Sequence, residues 1–260
     1  MKRKIKDYAY SSPVWTAVET ALIAVLLFSL LSVIKAGETT EFILHIICHV
    51  MSVVFAVFVA KACDFKLFAK IKISVSEIFI LFLGLLVCVN NFPVIGFIKG
   101  DVRLIENANI LRFILYCVMI GVSEEFVFRG IIMPIIGLKY KDAKRAPLLT
   151  VAVSSLIFSL CHLFNIFSLG IAPTLLQVGY TFLTGGLFGI AFLITKNLIF
   201  PIILHVVFDF GGLIFSVPFG VAAGNMWDLS TIIITAALGV FAAAVYILKL
   251  YKYKSNQNQK

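Results

Sequence analysis

The chain has 260 residues, 61% of them hydrophobic and only 13% charged, with a formal net charge of +9 and a mean hydropathy of +1.06. A soluble domain would carry about a quarter charged residues, so this composition excludes one and describes an all-α polytopic membrane protein. The basic residues come in short clusters between apolar segments, as membrane orientation distributes them, so the lipid bilayer and not nucleic acid is the expected partner.

Met1 to Ser12 reads as a basic, polar tail, followed by a first span over about 14–34. That run is too long for a signal-peptide core and is read as retained. The second span is expected over about 42–62. The third, over about 78–98, is broken near its end by Asn90-Asn91-Phe92-Pro93, where Pro93 removes a backbone donor and demands an irregular, buried or water-facing end. The fourth span, about 109–138, is longer than a bilayer needs. Pro147 suits the first turn of the fifth, which reaches about 162–164, and a loop is expected to run to Pro173. The sixth span, about 175–194, contains Gly185 and Gly189 at the spacing that lets a neighbouring backbone approach closely. The seventh, about 198–217, is interrupted by Gly211-Gly212 and ended by Pro218, and the eighth occupies about 229–248.

About eight transmembrane helices place both ends of the chain on one side. That side collects Lys2, Arg3, Lys4 and Lys6, then Lys61, Lys66, Lys70 and Lys72, then Lys139, Lys141, Lys144 and Arg145, then Lys196 and the tail lysines Lys249, Lys252, Lys254 and Lys260; the opposite loops show Lys35, Lys99 and Arg103. Both termini are therefore expected in the cytoplasm of a multi-pass, bacterial-type cell membrane protein. Lys66, Lys70 and Lys72 read as an orientation signal in contact with anionic lipid. The five cysteines, Cys48, Cys63, Cys88, Cys117 and Cys161, are scattered without a CxxC and read as packing residues. Neither a linker nor a transporter-type repeat is visible.

The fourth span places Glu124, Glu125 and Arg129 inside an apolar run, where a lipid-facing charge costs a few kcal/mol or more. Glu125 and Arg129 are one helical turn apart and can pair, whereas Glu124 lies about 100° round the helix and is left spare. Phe158 with His162, and His205 with Asp209, repeat the one-turn spacing in the fifth and seventh spans. If these helices meet, Glu124, His162, His205 and Asp209 surround one cavity at similar depth. A carboxylate with histidines in a confined pocket has the parts for water activation: a base, and donors or a metal for an oxyanion. Serine and thiol mechanisms are weaker, because the serines lack a nucleophile elbow and Cys161 points about 100° away from its neighbour His162.

Glu124-Glu125-x-x-x-Arg129, Phe158-x-x-x-His162 and His205-x-x-x-Asp209, in this order and each on its own apolar segment, resemble the CPBP family, the CAAX-protease and bacteriocin-processing (Abi) intramembrane proteases. The likeness covers roughly Leu111 to Phe210. It implies a catalytic core on helices 4 to 7, and it divides the chain into N-terminal spans (1–108), a protease core (109–220) and a last span with a basic tail (221–260). It further implies an endopeptidase acting on a peptide or membrane-protein substrate, with CAAX-like processing, bacteriocin or pheromone maturation and self-immunity as its settings. Carried over by match, Glu124 activates water with His162, His205 and Asp209 form the oxyanion or second catalytic pair, and Glu125 with Arg129 braces the helix. Many members have Asn where Asp209 stands, and a carboxylate stabilises an oxyanion only when protonated or metal-bound. Glu124, His162 and His205 could also make an N,N,O zinc site with an open position; a metal-free glutamate mechanism is the other reading.

Two rival functions belong to other classes. A non-enzymatic immunity or sensor-kinase-binding scaffold would need none of the three motifs intact, and an ion-coupled transporter would show a repeat. Glu41, His45 and His49, spaced i, i+4, i+8 on the second span, read as an interfacial polar stripe.

Overall fold

With no water available inside a bilayer, long apolar runs must satisfy their own backbone as helices. The computed structural model describes residues 1–30, 34, 36–216, 219–224 and 229–253, so Lys35, Pro218, Lys254 and Lys260 lie outside the described residues. The helices are α1 (Lys2–Ser11), α2 (Pro13–Ser29), α3 (Glu38–Ala62), α4 (Val75–Asn90), α5 (Val94–Lys99), α6 (Ile110–Val127), α7 (Met133–Tyr140), α8 (Ala146–Cys161), α9 (Ile166–Leu169), α10 (Ile171–Thr195), α11 (Ile199–Gly212) and α12 (Leu229–Lys252). The fold is that of an all-α polytopic membrane protein. Its only described strands, β1 (Val102–Leu104) and β2 (Ala222–Gly224), form a short antiparallel ribbon.

Five rods among the described residues are long and apolar enough to cross a membrane: Glu38–Ala62, Val75–Lys99, Ala146–Leu169, Ile171–Thr195 and Ser230–Lys252. The pair α1 and α2, bent by 119°, makes a sixth if it is one span. The expected eight are not reached by length and composition. Helix α11 has only 14 residues, and the rod from Ile110 to Tyr140 carries Arg112, Glu124, Glu125 and Arg129.

Three local expectations change. The N-terminal tail is helical: α1 buries Ala9, and Lys6 Nζ reaches Asp64 Oδ2 at 2.5 Å. The expected loop to Pro173 is instead a 3-10 turn (His162–Asn165), α9 and the first turn of α10. Proline is tolerated there because first-turn N–H groups have no partner within the helix. The break before Pro93 appears as expected between α4 and α5, and Asn91 uses it to donate from Nδ2 to the Phe208 carbonyl of α11 at 2.7 Å.

Close helix contacts decide where the site lies. A Cβ on Gly185 would come 3.0 Å from Phe158 Cδ1 and one on Gly189 3.3 Å from Val151 Cγ1, so the two glycines seat α10 against α8. A Cβ on Gly121 would come 2.8 Å from Val206 Cγ2, so α6 and α11 touch one turn from the motif glutamates. Helix α6 is thereby held between α3 and α11, and the π-helical segment Phe128–Ile132 joins it to α7. Single π-turns inside α-helices are frequent at functional sites.

Candidate active site

Two adjacent glutamates on α6 have opposite surroundings. Glu125 is fully buried, and its Oε1 accepts from Arg129 Nη1 at 2.6 Å. The same oxygen lies 2.7 Å from His205 Nδ1. Since Oε1 already serves as an acceptor for the guanidinium, Nδ1 carries the proton and donates. Glu124 keeps 17% of its side chain exposed, and its Oε2 stands 3.7 Å from His205 Nε2. Asp209, one turn beyond His205 on α11, places Oδ2 3.6 Å from the same nitrogen. Both distances exceed a direct hydrogen bond. The buried Asp209 Oδ2 has no hydrogen-bond partner.

Arg129 is held from three directions. Besides Glu125, it donates from Nη2 to the Gly185 carbonyl at 3.0 Å. Its guanidinium lies over the rings of Phe158 and Phe188, 4.6 and 5.3 Å from their centroids. Phe188 also stacks on the His205 imidazole with centroids 4.7 Å apart. Aromatic faces favour a cation by about 2 kcal/mol when the pair is desolvated, so these rings replace the water that a buried arginine loses. Phe188 is one of 25 phenylalanines, and no motif set it apart in the sequence. The acceptor role of Gly185 had no signal either, because a backbone carbonyl has none.

His162 stands apart from this cluster. It follows the last residue of α8, and its Nδ1 bonds the Phe158 carbonyl at 3.0 Å. Phe158 is the shared neighbour of the two histidines, with its ring edge-on to His162 at 5.0 Å and to His205 at 6.1 Å. The structure thus gathers Glu124, Glu125, Arg129, His205 and Asp209 directly and holds His162 one ring away. Among the described residues, no three His, Cys, Asp or Glu side chains are grouped to hold a metal ion. The set of Glu124, His162 and His205 is therefore not gathered as one such group; His205 holds Nδ1 on Glu125 and His162 holds Nδ1 on a carbonyl, which leaves Nε2 of each ring free.

Two residues of the stripe on α3 meet partners on α6. His49 is buried, with Nδ1 2.7 Å from the hydroxyl of Ser123, the residue before Glu124. His45 faces Tyr116 and Phe219 edge-on. His45 and His49 therefore line the α3–α6 contact, whereas Glu41 accepts from the Ala36 N–H ahead of α3.

Residues 106–211 match the family model described as Rce1-like, type II CAAX prenyl endopeptidase. No curated protein and no solved structure matches the chain. The matched segment nearly coincides with the stretch that carries the three motifs. That segment is similar to the Rce1-like type II CAAX prenyl endopeptidases.

Proposed function

We propose, taking the Rce1-like domain at residues 106–211 as the premise, that the protein is a glutamate-type intramembrane endopeptidase in which Glu124 activates water. The observation that carries this reading is the division between the adjacent glutamates. Glu125 is consumed by Arg129 and His205, whereas Glu124 is partly exposed and faces a gap shared with His205 and Asp209. A water about 2.8 Å from each of two atoms fits beside a 3.7 Å separation.

In the proposed reaction, Glu124 takes a proton from that water as its oxygen bonds the scissile carbonyl carbon. The resulting oxyanion needs donors. In the imidazolium form His205 offers Nε2–H towards the gap, since its Nδ1–H is fixed on Glu125. Asp209 offers a second donor when protonated. Three carboxylates face one guanidinium and one imidazole here, and one shared proton relieves the excess negative charge in this buried place. His162, with Nδ1 spent on its own helix, keeps Nε2 as an acceptor beside the Phe158 ring. Collapse of the intermediate breaks the C–N bond, and Glu124 returns its proton to the leaving amine.

We place the substrates among membrane-bound proteins and peptides, bacteriocin or pheromone precursors included, and both termini in the cytoplasm on the lysine and arginine distribution. The test uses the full chain in liposomes with a farnesylated C-terminal peptide and its unprenylated counterpart, together with peptide profiles of membranes containing the wild type or Glu124→Gln. Cleavage or peptide differences that disappear in the Gln variant support the endopeptidase. Identical profiles, with neither peptide cut, favour the scaffold reading.

A further inference from the structure

A groove of about 850 Å³ lies far along the chain from the catalytic motifs, between the start of α4 and the end of α12. We infer that it is a binding site for an anionic phospholipid, with the phosphodiester held by lysines from two separate segments and the acyl chains laid along the exposed apolar flank. Lys72, in the loop before α4, and Lys249 and Lys252, in the last turn of α12, line its polar end with Glu77 and Tyr253. Its apolar floor is made by Ile80 and Ile194, both buried, while Phe79 and Leu248 form a flank that is 51% and 59% exposed. The Lys249–Glu77 pair at 3.7 Å shows that the two helix ends share one level.

Charge complementarity identifies the occupant. Three ammonium groups and one carboxylate leave the groove formally positive by two. Glu77 is committed to its own helix: its Oε2 accepts from the Ser74 backbone N–H at 2.8 Å and from the Ser74 hydroxyl at 2.9 Å, closing a capping box. Among the described residues, Lys72 and Lys252 have no carboxylate partner, and both are exposed. Their ammonium groups sit above an apolar wall on a protein whose surroundings are lipid. A phosphodiester joined to two acyl chains satisfies both surfaces at once, and each basic residue near an anionic headgroup contributes about fivefold in affinity. The site lies outside the Rce1-like segment except for Ile194 and depends on no catalytic assignment.

The test is native mass spectrometry of the purified full chain in a neutral detergent, titrated with phosphatidylglycerol or phosphatidylcholine. Wild type is expected to retain phosphatidylglycerol preferentially, with about a twentyfold loss in the double variant Lys72→Gln/Lys252→Gln. The double variant Lys141→Gln/Lys144→Gln, which removes two exposed lysines from another basic cluster, should bind as wild type does. Equal retention of the two lipids, or an equal loss in both double variants, overturns the site. Displacement of the lipid by millimolar inorganic phosphate overturns the lipid assignment, because it shows that a free anion suffices. All four lysines are exposed, and thermal unfolding of each variant in detergent separates lost binding from lost folding.

Discussion

His205 donates from Nδ1 to Glu125 Oε1 at 2.7 Å, on the oxygen that also accepts from Arg129 at 2.6 Å. One buried carboxylate oxygen thereby ties α11 to the start of the π-helical segment. It also leaves Nε2 as the imidazole nitrogen that faces Glu124 and Asp209.

The neighbouring glutamates should respond differently to the same substitution. Glu124→Gln is expected to abolish peptide hydrolysis, a loss of at least about 10²-fold, with unchanged unfolding in detergent, because it keeps the volume and breaks no direct hydrogen bond. Glu125→Gln should lower stability, since it strips the charge that faces Arg129 and His205. Wild-type turnover by Glu124→Gln in reconstituted protein would remove that residue from the reaction.

Arg129→Ala should cost about 3 to 5 kcal/mol, because it leaves the buried Glu125 carboxylate without its guanidinium. Arg129→Lys should not restore stability. A single ammonium cannot span Glu125 and the Gly185 carbonyl while lying flat between Phe158 and Phe188. Denaturation in detergent checks both variants, and an unchanged midpoint for Arg129→Ala would show that the pair contributes nothing.

Gly185→Ala should destabilise by about 1 to 3 kcal/mol through overpacking, since its Cβ would meet Phe158 Cδ1 at 3.0 Å and Ser155 Cβ at 3.3 Å. Gly186→Ala is the control, because nothing lies within 4 Å of a Cβ there. Equal stabilities for the two variants would mean that α8 and α10 do not meet at Gly185.

Ser123→Ala should cost about 1 to 3 kcal/mol by leaving the buried His49 Nδ1 without a partner. In a double-mutant cycle with His49→Phe, the two losses should be smaller together than their sum. Additive losses would place the histidine and the hydroxyl out of contact.

Cysteine placed at positions 124 and 205, in a chain freed of its native cysteines, should crosslink with a short reagent more readily than cysteine at 124 and 162. Glu124 and His205 approach to 3.7 Å, whereas the Phe158 ring neighbours both histidines. Faster crosslinking of the 124 and 162 pair would reverse that order.

What could be read from the sequence followed from local rules. Apolar length and the cost of charge in lipid marked a multi-pass helical protein. One-turn spacing identified Glu125 with Arg129, and it put Glu124 on a different face. Pro93 and the glycine pair Gly185 and Gly189 announced a break and a close approach that depend on backbone sterics alone. The count of spans was not settled this way, because the 14-residue α11 and the charged rod from Ile110 to Tyr140 owe their burial to neighbouring helices. Only the tertiary structure decided that His205 would turn Nδ1 to Glu125, that Phe188 would stack beside it, that His162 would stand behind Phe158, and that His49 would bond Ser123. Glu125 with His205 and His49 with Ser123 lie 80 and 74 positions apart, and the geometry of such contacts is set by how ridges of side chains fit between packed helices, which spacing along a single helix does not encode.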